Sequence, residues 1–114
     1  MDSQLREEIL ALHAGICEGL ADPTRILILY TLDAKARNVS ELASLLGVTQ
    51  PTASRHLKVL HSKGLVEAER QAQAMIYSLT DHRVIEALDI LRAILADSLH
   101  SQGELARSVE KKLV

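Results

Sequence analysis

The chain has 114 residues, room for one domain with a modest core and little space for a second. Apolar residues make up 47%, yet there are two Tyr and no Trp or Phe, so the core must be Leu, Ile, Val and Ala, a palette that suits packed helices. No apolar run reaches spanning length, residues 1–8 are too polar for a secretion signal, and Cys17 has no second cysteine to pair with. A membrane protein is thereby excluded, and a cytoplasmic protein in a reducing compartment is expected.

Leu5, Ile9, Leu12, Ile16 and Leu20 recur at helical spacing and predict a first amphipathic helix over 4–20. Asp22-Pro23 pairs an N-cap side chain with a first-turn proline and starts a second helix, which runs to about Leu32. Its Ile26, Leu27, Leu29 and Tyr30 are available for burial. Ser40 is expected to cap a short third helix over 41–46, with Gly47 in the left-handed turn that ends it. Thr49 or Gln50 caps a fourth helix that carries Pro51 in its first turn and stops at Gly64. After Gly64 the apolar period shortens, and 65–70 and 74–79 read as two strands joined by Gln71-Ala72-Gln73. Thr80 or Asp81 then caps a long last helix bearing Val84, Ile85, Leu88, Leu91, Ile94, Leu95 and Leu99.

The fold class is therefore mainly α (α+β), one domain over 1–114, with four helices, a hairpin and a final helix in that order. Two helices joined by the tight turn Leu46-Gly47-Val48-Thr49 make a helix-turn-helix at about 40–62, and the hairpin at about 65–79 makes it winged. The outer helices, about 4–20 and 81–108, carry more apolar surface than a small three-helix core and a wing can cover. A symmetric second copy would bury it, with Leu5, Ile9, Leu12, Ile16, Leu88, Leu91 and Leu95 as the expected dimer contacts. The competing arrangement packs the two helices against each other inside a monomer.

Formal net charge is −2, which taken whole argues against a polyanionic partner. The distribution argues otherwise. Residues 1–34 carry two Arg against six acids, −4, and the segment from 71 onward is −1. Residues 35–70 hold Lys35, Arg37, Arg55, Lys58, Lys63 and Arg70 against Glu41, Glu67 and Glu69, +3. A local basic face governs binding to a polyanion more than the total does. On the fourth helix, Ala53, Leu57 and Leu60 share one face at i, i+4, i+7, while Arg55 and Lys58 lie opposite with Thr52 and Ser54 beside them and Gln50 at the start. Hydroxyls, an amide and long cations suit base edges and phosphates in a DNA major groove. The plain alternative is an ordinary solvated helix face. The caps, the turn glycine, the hairpin and the local charge favour double-stranded DNA.

Several motifs occur together in register: Leu20-Ala21-Asp22-Pro23-Thr24-Arg25-Ile26, Val39-Ser40-Glu41-Leu42-Ala43, Gln50 to Leu60 written QPTASRHLKVL, Gly64-Leu65-Val66 and Tyr77-Ser78-Leu79. This pattern resembles the ArsR/SmtB family of bacterial winged-helix repressors over nearly the whole chain. The resemblance implies a homodimer paired through the first and last helices, bound to a near-palindromic operator. It also implies repression of a nearby operon until an inducer, whether a small molecule, a metal or an oxidant, weakens DNA binding. It adds His56 to the expected DNA contacts, where a packing role competes. With Ser40 and Thr49 at the helix starts, and Arg70 and Gln73 on the wing, the expected DNA-binding set is Ser40, Thr49, Gln50, Thr52, Ser54, Arg55, His56, Lys58, Arg70 and Gln73. Family wings carry Gly and Arg at the tip, whereas Gln71-Ala72-Gln73 stands here, so hydrogen bonding from Gln71 or Gln73 replaces deep minor-groove insertion. Arg25 is left between a dimer contact and a local ion pair.

The family's metal sites do not carry over. Its Cys-Val-Cys falls on Asn38-Val39-Ser40 and a further Cys position on Ala43, none of which supplies a soft thiolate. A second site type keeps Asp81 but meets Arg83, Ile94 and Asp97 where ligands are needed, which breaks the tetrahedral set. No cofactor is expected. His13 and Cys17, four apart on the first helix, could form a cross-dimer site with His100, against the reading of Cys17 as a small buried hydrophobe. His61 and His82 have no assigned role. No nucleophile–base pair, carboxylate couple or phosphate loop appears with usable spacing, so the chain reads as a binding protein and not an enzyme. The remaining alternative is a winged-helix module that holds a protein partner.

Overall fold

A computed structural model describes the backbone of residues 1–113 and the side chains of residues 1–108. Met1–His82 form one compact unit and the chain from Arg83 a second. In the first unit the order is α1 (Ser3–Leu12) running into a π-helical turn (His13–Cys17), then α2 (Pro23–Ala34), α3 (Val39–Leu46), α4 (Gln50–Ser62), β1 (Val66–Gln71) and β2 (Ala74–Leu79). The second unit is α5, a 31-residue helix over Arg83–Leu113.

Local chemistry fixes each boundary. The Asp22 carboxylate accepts from the backbone N–H groups of Thr24 (2.8 Å) and Arg25 (3.2 Å), and Pro23 fills a position whose N–H would otherwise go unpaired. At α3 the expected cap is corrected: Asn38, not Ser40, closes the helix start. Its Oδ1 accepts from Glu41 N–H at 2.9 Å while Glu41 Oε1 accepts from Asn38 N–H at 3.2 Å, a reciprocal capping box. The helix consequently begins at Val39, with Ser40 inside its first turn. Gly47 ends it with φ +68°, and Val48 N–H reaches back to Ala43 O at 3.0 Å, the closure that satisfies a terminal carbonyl. Thr49 caps α4, and Gly64, at φ +74°, turns the chain into the hairpin.

The core lies where α2, α3 and α4 meet the hairpin. Ile28, Leu29 and Leu32 of α2, Leu42 and Ala43 of α3, and Ala53, Leu57 and Leu60 of α4 are buried, with Leu65 and Val66 at the entry to β1. Each fully buried Leu or Ile contributes about 1.5–3 kcal/mol of burial free energy, so this aliphatic centre holds α4 against α2 and α3 without aromatics. Of the four residues expected to be buried on α2, Leu29 is so, Ile26 and Tyr30 are half-buried, and Leu27 is 53% exposed. Ile28 and Leu29 each stand one helical turn before Leu32, four and three residues away, and these three form the inward stripe instead.

The hairpin pairs Val66 with Leu79 through Gln71 with Ala74, one residue later on β1 than expected, so the tip is the two-residue turn Ala72-Gln73. Ala72 takes φ +54°, a conformation that a turn this tight demands and that Gly fills without cost. The other edge of β2 is occupied too: Arg37 and Tyr77 exchange both backbone bonds, at 3.0 and 2.8 Å. A single residue ahead of α3 thus acts as a third strand and ties the wing to the helix-turn-helix.

The first helix is not uniform. Its π-helical turn at His13–Cys17 interrupts the α-helical ladder expected to run unbroken over 4–20. Beyond that turn, buried Gly19 approaches the corner between α4 and β1 so closely that a Cβ there would stand 2.6 Å from Leu65 Cδ1.

Candidate nucleic-acid interface

Burial of Ala53, Leu57 and Leu60 sets the rotation of α4 and so decides which side chains face outward. Ser54, Arg55 and Lys58 are exposed, with Gln50 at the exposed N-terminal end and Thr52 half-buried beside them. The polar groups are tied together before any partner arrives. Thr49 Oγ1 accepts from Thr52 N–H at 3.2 Å and donates to Thr52 Oγ1 at 2.9 Å. Thr52 Oγ1 also accepts from Arg55 Nη2 at 3.2 Å, which turns the guanidinium toward the start of the helix. Gln50 Nε2 donates to Ser40 Oγ at 2.9 Å, linking the first turns of α3 and α4. Of the ten expected DNA contacts, Ser40 and Gln50 are thus joined on one side of the helix-turn-helix, and Thr49, Thr52 and Arg55 on the other. Holding rotamer-rich side chains in place lowers the entropy they lose on binding.

Arg70 and Gln73 are exposed on the hairpin, Arg70 near the end of β1 and Gln73 in the turn itself. They are carried on a different element from the α4 group.

His56 is the expected contact that the structure turns inward. Its side chain is 19% exposed, its Nε2 lies 3.9 Å from Asp22 Oδ1, and its Nδ1 is 3.4 Å from Arg25 Nη1. Within the single chain it packs, because position 56 flanks the buried stripe of α4 and faces the start of α2. Arg25 is settled by the same cluster as a local fastener: Nε donates to Gly19 O at 2.8 Å and Nη2 to Glu18 O at 3.1 Å, closing the end of the first helix. Burial alone would raise the Asp22 carboxyl. Hydrogen bonds from the Arg25 and Thr24 N–H groups, with the nearby His56 and Arg25 charges, outweigh that and hold it below its ordinary value. Lys63, which carried no assignment, donates to Ala14 O at 2.8 Å and pairs with Glu18 at 3.5 Å, so the C-terminal end of α4 is fastened to the end of the first helix.

The sensor candidates come out as follows. Cys17 is exposed, so it is not the small core hydrophobe of the simpler reading. His13 is also exposed, on the same π-helical turn, and His100 pairs with Glu104 at 2.9 Å on α5. Among the described residues no three His, Cys, Asp or Glu side chains group so as to hold a metal ion. On the expected dimer helices, Leu5, Ile9, Leu12, Ile16, Leu91 and Leu95 are exposed, whereas Leu88 is 5% exposed and has almost no surface to offer a partner.

A short helix and a capped second helix joined by a left-handed glycine turn, with a polar outward face and a hairpin behind, define a winged helix-turn-helix regulator. Residues 22–68 match the bacterial regulatory protein, arsR family. The HTH-type transcriptional repressor SmtB of Mycobacterium tuberculosis is 37% identical over 97 residues, 85% of this chain and 67% of that protein. Of the solved structures, NolR from Sinorhizobium fredii superposes with a TM-score of 0.73 at 33% identity, over 82% of this chain and 93% of that one. A homodimeric winged helix-turn-helix DNA-binding domain from Mycobacterium bovis gives 0.73 at 28% identity, over 86% and 91%. With that resemblance extending across both the helix-turn-helix and the wing, this chain belongs to the arsR family of bacterial regulatory proteins.

Proposed function

We propose that two copies of this chain, each a single domain over 1–114, pair through α1 and α5 and repress transcription by binding a near-palindromic operator. Each α4 enters a major groove. The reading is carried by the outward face of α4, where Arg55 is held by Thr52 while Ser54 and Lys58 stand exposed opposite a fully buried stripe. Arg55 reads base edges, Lys58 and the hydroxyls take phosphates or bases, and Arg70 and Gln73 reach the flanking backbone from the wing. The homodimeric relative and the repressor relative support the same reading. The protein works in the cytoplasm by binding and not by catalysis, and an inducer that weakens DNA binding releases the operon. No helix among the described residues is long and apolar enough to cross a membrane.

The test is binding of the purified dimer to duplexes selected from a random library, measured by fluorescence anisotropy over a salt series. Affinity should fall steeply with salt, and Arg55→Ala should weaken the selected duplex by about 1–3 kcal/mol while narrowing its advantage over random DNA. Failure of selection to enrich any sequence would remove the proposal.

A further inference from the structure

Ahead of α3 the surface opens into a depression of about 410 Å³ lined by Arg37, Ser40, Glu41, Ser44 and Leu45. Of the expected DNA contacts only Ser40, on α3, lines it, and none from α4 or the wing does. Three observations bear on what it holds. The backbone of Arg37 is locked by two hydrogen bonds to Tyr77, so its side chain leaves from a rigid point. Its Nε makes a long 3.5 Å bond to Thr31 O, and both Nη groups are unpaired among the described residues. Ser40 and Ser44 are one helical turn apart on the exposed face of α3, and Ser40 is hydrogen-bonded to Gln50 at the start of α4. The depression is therefore continuous with the first turn of the helix assigned to the major groove.

The occupant follows from shape and charge. A site for a small molecule buries most of its ligand, which an open trough does not do. A free anion has little reason to collect here either, because Glu41 in the lining offsets Arg37. A phosphodiester is different, since the rest of the interface brings it there. When the second helix of a helix-turn-helix lies in the groove, the first crosses the sugar–phosphate backbone at its edge. Arg is the side chain best shaped for such a group, with two N–H donors meeting two oxygens. Glu41 is turned away in part, with Oε1 accepting the Asn38 N–H of the capping box.

We propose that Arg37, with the hydroxyls of Ser40 and Ser44, holds a backbone phosphate beside the groove that α4 enters. The inference rests on the DNA-binding reading and adds a contact that positions the protein without reading sequence.

Salt titrations on a library-selected duplex and on random DNA test it, using the full-length dimer. Both protomers of the dimer lose the contact, so Arg37→Gln should reduce the steepness of log K against log salt by about 1.8, and it should lose about 12-fold less affinity than the parent across a fourfold rise in salt. It should weaken both duplexes by the same factor and leave their ratio intact. Arg37→Lys should restore the slope, and Arg107→Gln, the same loss of charge on exposed α5, should leave it unchanged. If Arg37→Gln keeps the parental slope while Arg55→Ala loses sequence preference, Arg37 touches no phosphate and the DNA reading stands. A lower apparent affinity at unchanged slope, with a lowered melting temperature, overturns the inference as well, since it marks a folding defect. If the unmodified dimer prefers no duplex, the DNA reading falls and the inference with it.

Discussion

At Asp22 a single carboxylate starts α2 and also faces the histidine that α4 turns inward. Its depressed pKa means that the folded chain binds fewer protons than the unfolded one as pH approaches about 4. The stabilisation is therefore present above the unfolded value and fades as pH falls through the lower, folded one. Asp22→Asn keeps a side chain that caps helices equally well but cannot be protonated in that range. Thermal melts from about pH 3 to pH 7 should show the parent the more stable near neutrality, with its lead narrowing or reversing below about pH 4. Parallel curves over the whole range would show that Asp22 acts only as a cap. None of this was legible in the sequence beyond the cap itself, because His56 reaches Asp22 from a position 34 residues away and no local pattern encodes that meeting.

For the elements, apolar spacing and end signals revealed most of what local chemistry determines. Asp22-Pro23, Gly47 and Gly64 each act where their backbone preferences place them, and α4 buries the three residues its period demands. The misplacements have local physical causes. Asn38 and Ser40 are both competent caps, and the choice falls to Asn38 because Glu41 stands three residues on and can answer it. Asn38→Ala should then cost about 1 kcal/mol of stability in chemical denaturation. Ser40→Ala should shift the midpoint far less, as its Oγ accepts no backbone N–H of α3 in a cap; equal losses would refute the assignment. The π-helical turn left no trace in the apolar positions, since Leu12 and Ile16 share a face whether the hydrogen bonds between them span four residues or five. Arg37 was visible only as a charge, because its place as a third strand depends on pairing with Tyr77, 40 residues later.

On the scale of the whole molecule, what stands out is apolar surface left uncovered. Leu5, Ile9, Leu12 and Ile16 form an exposed row on the first helix, and on α5, taken by itself, Ile90, Leu91, Ile94, Leu95 and Leu99 are each more than half exposed. Rows of this kind on a small regulator mark an interface, and a two-fold partner presents the same rows in return. On the near-palindromic operator proposed above, two copies would also give short α4 helices useful affinity: once one is seated, the second would bind its half-site at high effective concentration, about one helical turn of DNA away. Leu12→Glu and Leu95→Glu each place a charge within such a row without touching α4. Each should convert the protein from dimer to monomer in sedimentation at micromolar concentration, with the circular-dichroism signal of its helices largely kept. Affinity for the selected duplex should drop by about 10²-fold or more, while the weak binding of one α4 to random DNA changes far less. Leu88→Ala supplies the contrast, because a residue already buried in the single chain should lower thermal stability before it alters the association state. Sedimentation of either Glu variant as an intact dimer would exclude its helix from the interface.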